Sequence, residues 1–226
     1  MQNIDILSGK LGYQFQNITL LQTALTHRSS GSSNNERMEF LGDSILGYVI
    51  SSELYQRFSQ ASEGELSRMR ASLVRGETLA GIAQDIGLGD HLQLGSGELK
   101  SGGFRRKSIL ADAFEAVIGA VYLDSDIQSA RQFILKYFSG KLDACDPSSV
   151  LKDPKTRLQE YLQSRGEAVP EYNVLSVSGQ AHKQEFEVEC KLAVLDLSTT
   201  GRGTSRRKAE QAAAAALFAK LNIQAS

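Results

Sequence analysis

The stretch ILADAFEAVIGAVYL, Ile109 to Leu123, carries two charged residues, Asp112 and Glu115, while every other position is apolar, glycine or tyrosine. It reads as a helix with no polar face, one that a folded chain must surround. Two carboxylates inside such a helix need a reason. Desolvating even one ionised carboxylate without a partner costs several kcal/mol, so the chain must supply a cation, a proton or a water-filled cleft at that spot. A bound divalent metal is the leading solution. The alternative is that both acids, three residues apart, point outward on a surface helix, and the missing polar face weighs against it.

A second acidic cluster lies upstream in NNERMEFLGDSILGYVI, Asn34 to Ile50. On a helix, Glu36, Glu39 and Asp43 fall within an arc of about 60° and form one carboxylate stripe. Met38, Phe40, Leu41, Ile45 and Tyr48 occupy other sectors, so an amphipathic helix with an acidic solvated edge is the plain alternative. Like charges at this spacing cost a few tenths of a kcal/mol each, a penalty that a shared cation turns into a gain. If the two helices face each other, their carboxylates converge as hard oxygen donors, suited to Mg²⁺ or Mn²⁺ and unlike a zinc site.

The two motifs together resemble the signature of the bacterial ribonuclease III family, endonucleases that cut double-stranded RNA. Met38 stands where leucine is common in the family's form, a swap that conserves volume. The resemblance continues through ALTHRS (Ala24 to Ser29), EGELSRMRASLVRGETLA (Glu63 to Ala80) and GELKSGGFRRKSILAD (Gly97 to Asp112), then through a carboxy-terminal double-stranded-RNA-binding domain. It implies an all-α endonuclease domain over residues 1–140, with its signature part at 4–126, a linker at 141–152, and a small α-β-β-β-α domain over 153–223. It also implies that Glu39, Asp112 and Glu115 bind Mg²⁺, for which Mn²⁺ can substitute, and that Asp43 and Glu115 are catalytic. Which of those two deserves the label of base stays open. Glu36 and Glu63 resemble further acids lining a valley between two subunits. Phe40 corresponds to an aromatic knob at a homodimer interface, although an intramolecular core position is an equal reading of that residue.

Composition sets the outer bounds. The chain has 226 residues and is 41% hydrophobic, enough for one medium and one small packed core. No apolar run approaches a bilayer-spanning length, and MQNIDILSGK lacks a charged-then-apolar signal pattern, which predicts a cytoplasmic protein with no membrane partner. Cys145 and Cys190 have no metal-ligand spacing, so reduced thiols are expected.

Net charge is −1, which at first argues against a nucleic-acid partner. The halves differ, however: residues 1–150 hold 14 Lys and Arg against 17 Asp and Glu, whereas residues 151–226 hold 11 against 9. Patches rather than totals govern phosphate contact. The seam lies in KLDACDPSSVLKDPKT, Lys141 to Thr156, which contains two of the three prolines and no periodic pattern.

Upstream of the seam the pattern is helical. Asn17 precedes a 3-4 apolar spacing, Ser62 with Glu65 forms a capping box, and Asp126 caps DIQSARQFILKYF. Downstream, PKTRLQEYLQSRG is a short helix stopped by Gly166. QEFEVECKL then alternates strictly, with Phe186, Val188, Cys190 and Leu192 on one face. Strand-like EYNVLSVS and DLSTTGRG flank it, and an alanine-rich helix ends the chain.

The outer face of that strand carries glutamates, so the sheet is a poor phosphate platform and the helices must grip the RNA. Arg206, Arg207 and Lys208 occupy a first helical turn, where the macrodipole disfavours cations unless an anion sits there. The family's remaining contacts correspond to Thr156, Gln159, Glu160 and His182. In SGGFRRKS, Arg105, Arg106 and Lys107 either guide a phosphate backbone toward the acids or form a solvated turn. Cleavage through the RNA's own 2′-hydroxyl usually relies on paired histidines; His27, His91 and His182 all lie outside the acidic motifs, so a metal-activated water is the better nucleophile.

The resemblance implies products with a 5′-phosphate and a 3′-hydroxyl, and processing of ribosomal-RNA precursors and of some messenger and transfer RNAs. A non-catalytic double-stranded-RNA-binding or scaffolding relative is the other function class.

Overall fold

A computed structural model describes residues 4–147, 153–180 and 184–221, apart from the side chain of residue 5. The chain folds as two compact units, residues 1–150 and 151–226.

The first unit holds α1 (Ile4–Leu11), α2 (Ile18–Ala24), α3 (Glu36–Arg57), α4 (Glu63–Leu73), α5 (Gly76–Ile86), α6 (Ser96–Lys100), α7 (Lys107–Asp124) and α8 (Ile127–Asp143), with short 3-10 turns between some of them. Helix α7 is its axis. Eleven of its residues, from Ile109 to Val121, are buried, as a helix without a polar face requires. Against it pack Ile45, Leu46, Val49 and Ile50 of α3, Leu79, Ala80 and Ala83 of α5, and Phe133, Ile134 and Phe138 of α8.

Helix boundaries follow the sequence signals. The Asn17 side chain accepts from Thr19 N, Ser62 and Glu65 form a reciprocal capping box, and Asp126 accepts from Ser129 N at 2.8 Å. At the far end of α7, Asp124 accepts from the Tyr13 hydroxyl at 2.9 Å and from the amides of Gln16 and Asn17 at 2.8 and 2.7 Å. These bonds tie the end of α7 to the α1–α2 loop and hold the Asp124 carboxyl below its ordinary range, against the opposing effect of its own desolvation.

One boundary differs from expectation. Helix α8 runs through Asp143, three residues into the stretch read as linker from position 141. Leu142 is buried in the core, and Arg57 donates to Asp143 at 2.5 Å, so both faces of the last turn are anchored.

The second unit holds α9 (Pro154–Ser164), β1 (Glu171–Ser178), β2 (Glu185–Leu192), β3 (Leu197–Gly203) and α10 (Arg206–Lys220). The strands form an antiparallel sheet in the order β1-β2-β3, with a bulge in β1 between Val174 and Ser176. Val188, Cys190 and Leu192 are buried, as the alternation in β2 demands, and Cys190 and Leu192 pack in one cluster with Leu158, Leu162, Ala213 and Leu217. Outward, Glu187 is held by Arg202 of β3 at 3.0 Å and by Ser176 of β1 at 3.2 Å. Gly201 and Gly203 let α10 lie directly on β3: a Cβ at Gly201 would stand 2.1 Å from the Ala213 amide nitrogen. Cys145 and Cys190 are free thiols, and no helix among the described residues is long and apolar enough to cross a membrane.

Candidate metal centre and duplex-binding surface

The acidic cluster exists because α3 and α7 approach closely at two glycines. A Cβ on Gly42 of α3 would stand 1.8 Å from the Glu115 carbonyl oxygen, and one on Gly119 of α7 would stand 2.4 Å from the Met38 carbonyl oxygen. Any larger residue at either position separates the helices. Asn35, 2% exposed, fixes the start of α3: its amide donates to Thr26 O at 2.9 Å and its side chain to Ala24 O at 3.2 Å.

At this crossing, Glu39 from α3 and Asp112 and Glu115 from α7 each offer an oxygen atom, and these atoms lie within 4.8 Å of one another. All three residues are half-buried. Burial pushes the Glu115 carboxyl up to about 8, helped by the charges of Asp43, Glu39 and Asp112. Glu39 is raised by burial and by Asp112 and Glu36, against the pull of Arg28; Asp112 is raised by burial, against His27 and Arg28. Crowded, partly desolvated carboxylates of this kind fit a hard divalent cation, which converts their repulsion into attraction.

Asp43 stands one turn further along α3, exposed, close enough to act on Glu115 but outside the three-residue donor set. Glu36 pairs with Arg28 at 3.5 Å. Glu63 lies on α4, where it accepts from Ser67 Oγ at 2.7 Å, and it lines a separate hollow with Tyr48, Tyr55 and Leu66. Phe40 is 77% exposed, which removes the core reading of that ring.

Beside the carboxylates lies a cleft of about 390 Å³ whose lining includes Glu36, Glu39 and Asp112 together with His27, Arg28 and Arg106. Sequence reading gave no role to His27 or Arg28, although ALTHRS lay in plain view. Hydrogen bonds between distant segments bring them in: His27 N donates to Gln93 O at 3.0 Å and Gly95 N donates to Ser29 Oγ at 2.9 Å. His27 is thus a histidine at the acidic site despite its distance in sequence, whereas His91 does not line the cleft. Arg106 is held at 2.9 Å by Glu98 and also donates to Ser101 Oγ, so this part of the SGGFRRKS segment is an anchored turn.

In the second unit, Thr156 and Gln159 of α9 and Arg206 and Arg207 of α10 line one groove of about 530 Å³. Glu160 and Lys208 are exposed outside that lining, and Lys208 Nζ donates to Thr204 Oγ1 at 3.3 Å. Ser205 caps α10 through Lys208 N, which puts all three cations in the first turn. His182 lies outside the described residues.

Sequence comparison agrees with both halves of this architecture. A family model described as ribonuclease-III-like matches residues 17–142, and the double-stranded RNA binding motif matches residues 154–221. The chain belongs to the ribonuclease III family. A Vibrio vulnificus protein named ribonuclease 3 is 61% identical over 211 residues, covering 93% of this chain and 94% of its own length. The crystal structure of the nuclease domain of Campylobacter jejuni ribonuclease III superposes with a TM-score of 0.61 at 40% identity, covering 65% of this chain and all of that one. A second structure of that domain, described for flexibility in a region involved in dimer formation, gives a TM-score of 0.60 at 41% identity over 61% of this chain and 97% of its own. This chain is therefore an enzyme of the family, with a helical nuclease domain and a double-stranded-RNA-binding domain. The family is metal-dependent, and the Glu39, Asp112 and Glu115 set can hold a metal.

Proposed function

We propose that this ribonuclease is a Mg²⁺-dependent endonuclease that hydrolyses phosphodiester bonds in double-stranded RNA and leaves 5′-phosphate and 3′-hydroxyl ends. The observation that carries this reading is the convergence of three carboxylates within 4.8 Å on two helices that glycines hold together. Glu39, Asp112 and Glu115 hold the cation; Mn²⁺ can replace Mg²⁺ on such donors. When bound, the ion makes hydroxide available near neutral pH and offsets charge on the phosphoryl oxygens. The protein's own groups do the rest. Asp43 and Glu115 share the handling of the water proton, and Arg28 and Arg106 supply positive charge where a phosphate must approach an acidic wall.

The RNA grip belongs to Thr156, Gln159, Glu160 and His182 together with Arg206, Arg207 and Lys208, which reach 2′-hydroxyls and phosphates and read A-form shape rather than sequence. A twofold homodimer matches the local symmetry of a duplex and supplies one acidic set per strand. Supporting it, Phe40, Tyr48 and Tyr55 are 77%, 63% and 74% exposed. Their spacing on α3 keeps them within an arc of about 80°. An aromatic stripe of that kind on a long helix fits a partner surface, with Phe40 as the knob and Glu36 and Glu63 lining the valley between subunits. The cellular substrates on this reading are ribosomal-RNA precursors and some messenger and transfer RNAs, cut in the cytoplasm.

Incubating the protein with an end-labelled RNA hairpin, with and without Mg²⁺, and mapping the ends tests the chemistry. Glu115→Gln should bind the duplex and leave it uncut in Mg²⁺; undiminished cutting by that variant would sink the metal assignment.

A further inference from the structure

The groove between the first turns of α9 and α10 contains a feature foreign to an anion site: a well-covered carboxylate, Glu210. Its side chain is 12% exposed, and it takes Lys155 Nζ at 2.6 Å on one oxygen and Arg206 Nε at 2.9 Å on the other. Lys155 is confined from other directions too. Its ammonium lies 4.1 Å from the centroid of the Tyr172 ring, and its backbone amide donates to Gln211 Oε1 at 3.0 Å. Gln211 in turn donates to Asp153 at 2.8 Å, the same oxygen that caps α9 through Thr156 N at 2.9 Å. Side chains from the second turn of α10 thus grip the start of α9.

A lysine at the second position of an RNA-facing helix would ordinarily count as a phosphate ligand. Here a phosphate would have to displace a carboxylate already in charge-assisted contact, in a place less screened than open surface. We propose that Lys155 and Glu210 are a positioning strut and not RNA ligands. The strut sets the spacing of α9 and α10, so that Thr156 and Gln159 on one helix and Arg206 and Arg207 on the other meet a single duplex in register. Glu210 also orients Arg206 by holding Nε, which leaves the outer guanidinium nitrogens for a phosphate. The inference rests on the duplex-RNA reading of the second unit.

The test uses the full chain, with duplex affinity measured in EDTA over a series of salt concentrations. A phosphate ligand contributes about 0.9 to the slope of log affinity against log salt, whereas a strut contributes nothing to it. Lys155→Gln and Glu210→Gln are each expected to weaken binding on the order of tenfold, the scale of one charge-assisted hydrogen bond. The salt slope should stay that of the unsubstituted chain, the double variant should be no weaker than either single one, and in Mg²⁺ the KM for duplex should rise while kcat holds. Arg207→Gln, by contrast, should lower the slope. A reduced slope in Lys155→Gln would make it a ligand and overturn the proposal, as would tighter binding by Glu210→Gln or unchanged affinity in either variant. Should Glu210→Gln unfold the unit, Lys155→Gln carries the test alone, since it leaves the Glu210 to Arg206 bond in place. Failure of the unsubstituted chain to bind duplex would remove the reading beneath the proposal instead.

Discussion

Gly42→Ala isolates the contact on which the acidic site depends. The added Cβ would meet the Glu115 carbonyl oxygen at 1.8 Å, its carbonyl carbon at 2.6 Å and the Gly119 amide nitrogen at 3.1 Å. All three neighbours are backbone atoms of a buried helix, so no side chain can swing away to make room. Restoring ordinary van der Waals distance requires α3 and α7 to part by roughly 1.5 Å. Overpacking of this kind costs about 1–3 kcal/mol, of which the better helix propensity of alanine returns about 1 kcal/mol. The functional loss should be larger than the stability loss. The displaced atoms belong to Glu115 itself, so its carboxylate moves away from Glu39, and a misplacement of about 1 Å in a catalytic group costs on the order of 10²-fold in rate. The assays are urea unfolding of the first unit, Mg²⁺ titration by calorimetry and single-turnover cutting of a hairpin. Gly81→Ala on α5, where a new Cβ meets nothing within 4 Å, is the control and should be neutral or slightly stabilising. If Gly42→Ala unfolded at the same urea concentration as Gly81→Ala and cut at the unsubstituted rate, glycine-mediated approach would not be what builds the site.

Other expectations concern charge, domains and assembly. With no metal bound, Glu115 has its carboxyl raised to about 8, so its protonated form is favoured by folding; the associated stability is full below the unfolded value and is lost as pH rises through about 8. Melting temperature in EDTA should therefore fall across that window, Mg²⁺ should restore it, and calorimetry in buffers of different ionisation enthalpy should register proton release on Mg²⁺ binding at about pH 7. A flat EDTA profile would refute the crowding argument. Truncation after Val150 should leave a nuclease that cuts at low salt with reduced affinity; equal affinity for duplex would show that the second unit is not the grip. Phe40→Asp should convert a sedimenting dimer to monomer with little loss of monomer stability, because the ring is 77% exposed. An unchanged sedimentation coefficient would place the interface elsewhere.

Local signals in the sequence were legible wherever the physics is local. The caps at Asn17, Ser62 and Asp126 act within one turn of their own residues, and the alternation in β2 needs only a half-buried sheet to be read. The absence of a polar face on α7 likewise announced a central helix. The end of α8 was less visible, because Leu142 and the Arg57 to Asp143 pair hold it through residues distant in sequence.

The sequence by itself determined which carboxylates were costly and therefore meaningful: Asp112 and Glu115 stand in an apolar run, and Glu39 stands in an acidic stripe. Only the tertiary structure decided how they meet. Two glycines let the backbones touch, bringing Glu39 within 4.8 Å of the α7 acids while leaving Asp43 outside the donor set. His27 and Arg28 come to the same cleft in a segment tied by hydrogen bonds from His27 to Gln93 and from Gly95 to Ser29, and Lys155 and Glu210 pair across 55 residues. Helix and strand periods encode which face of an element is buried; which residues of another element lie opposite is settled by close packing of the folded chain.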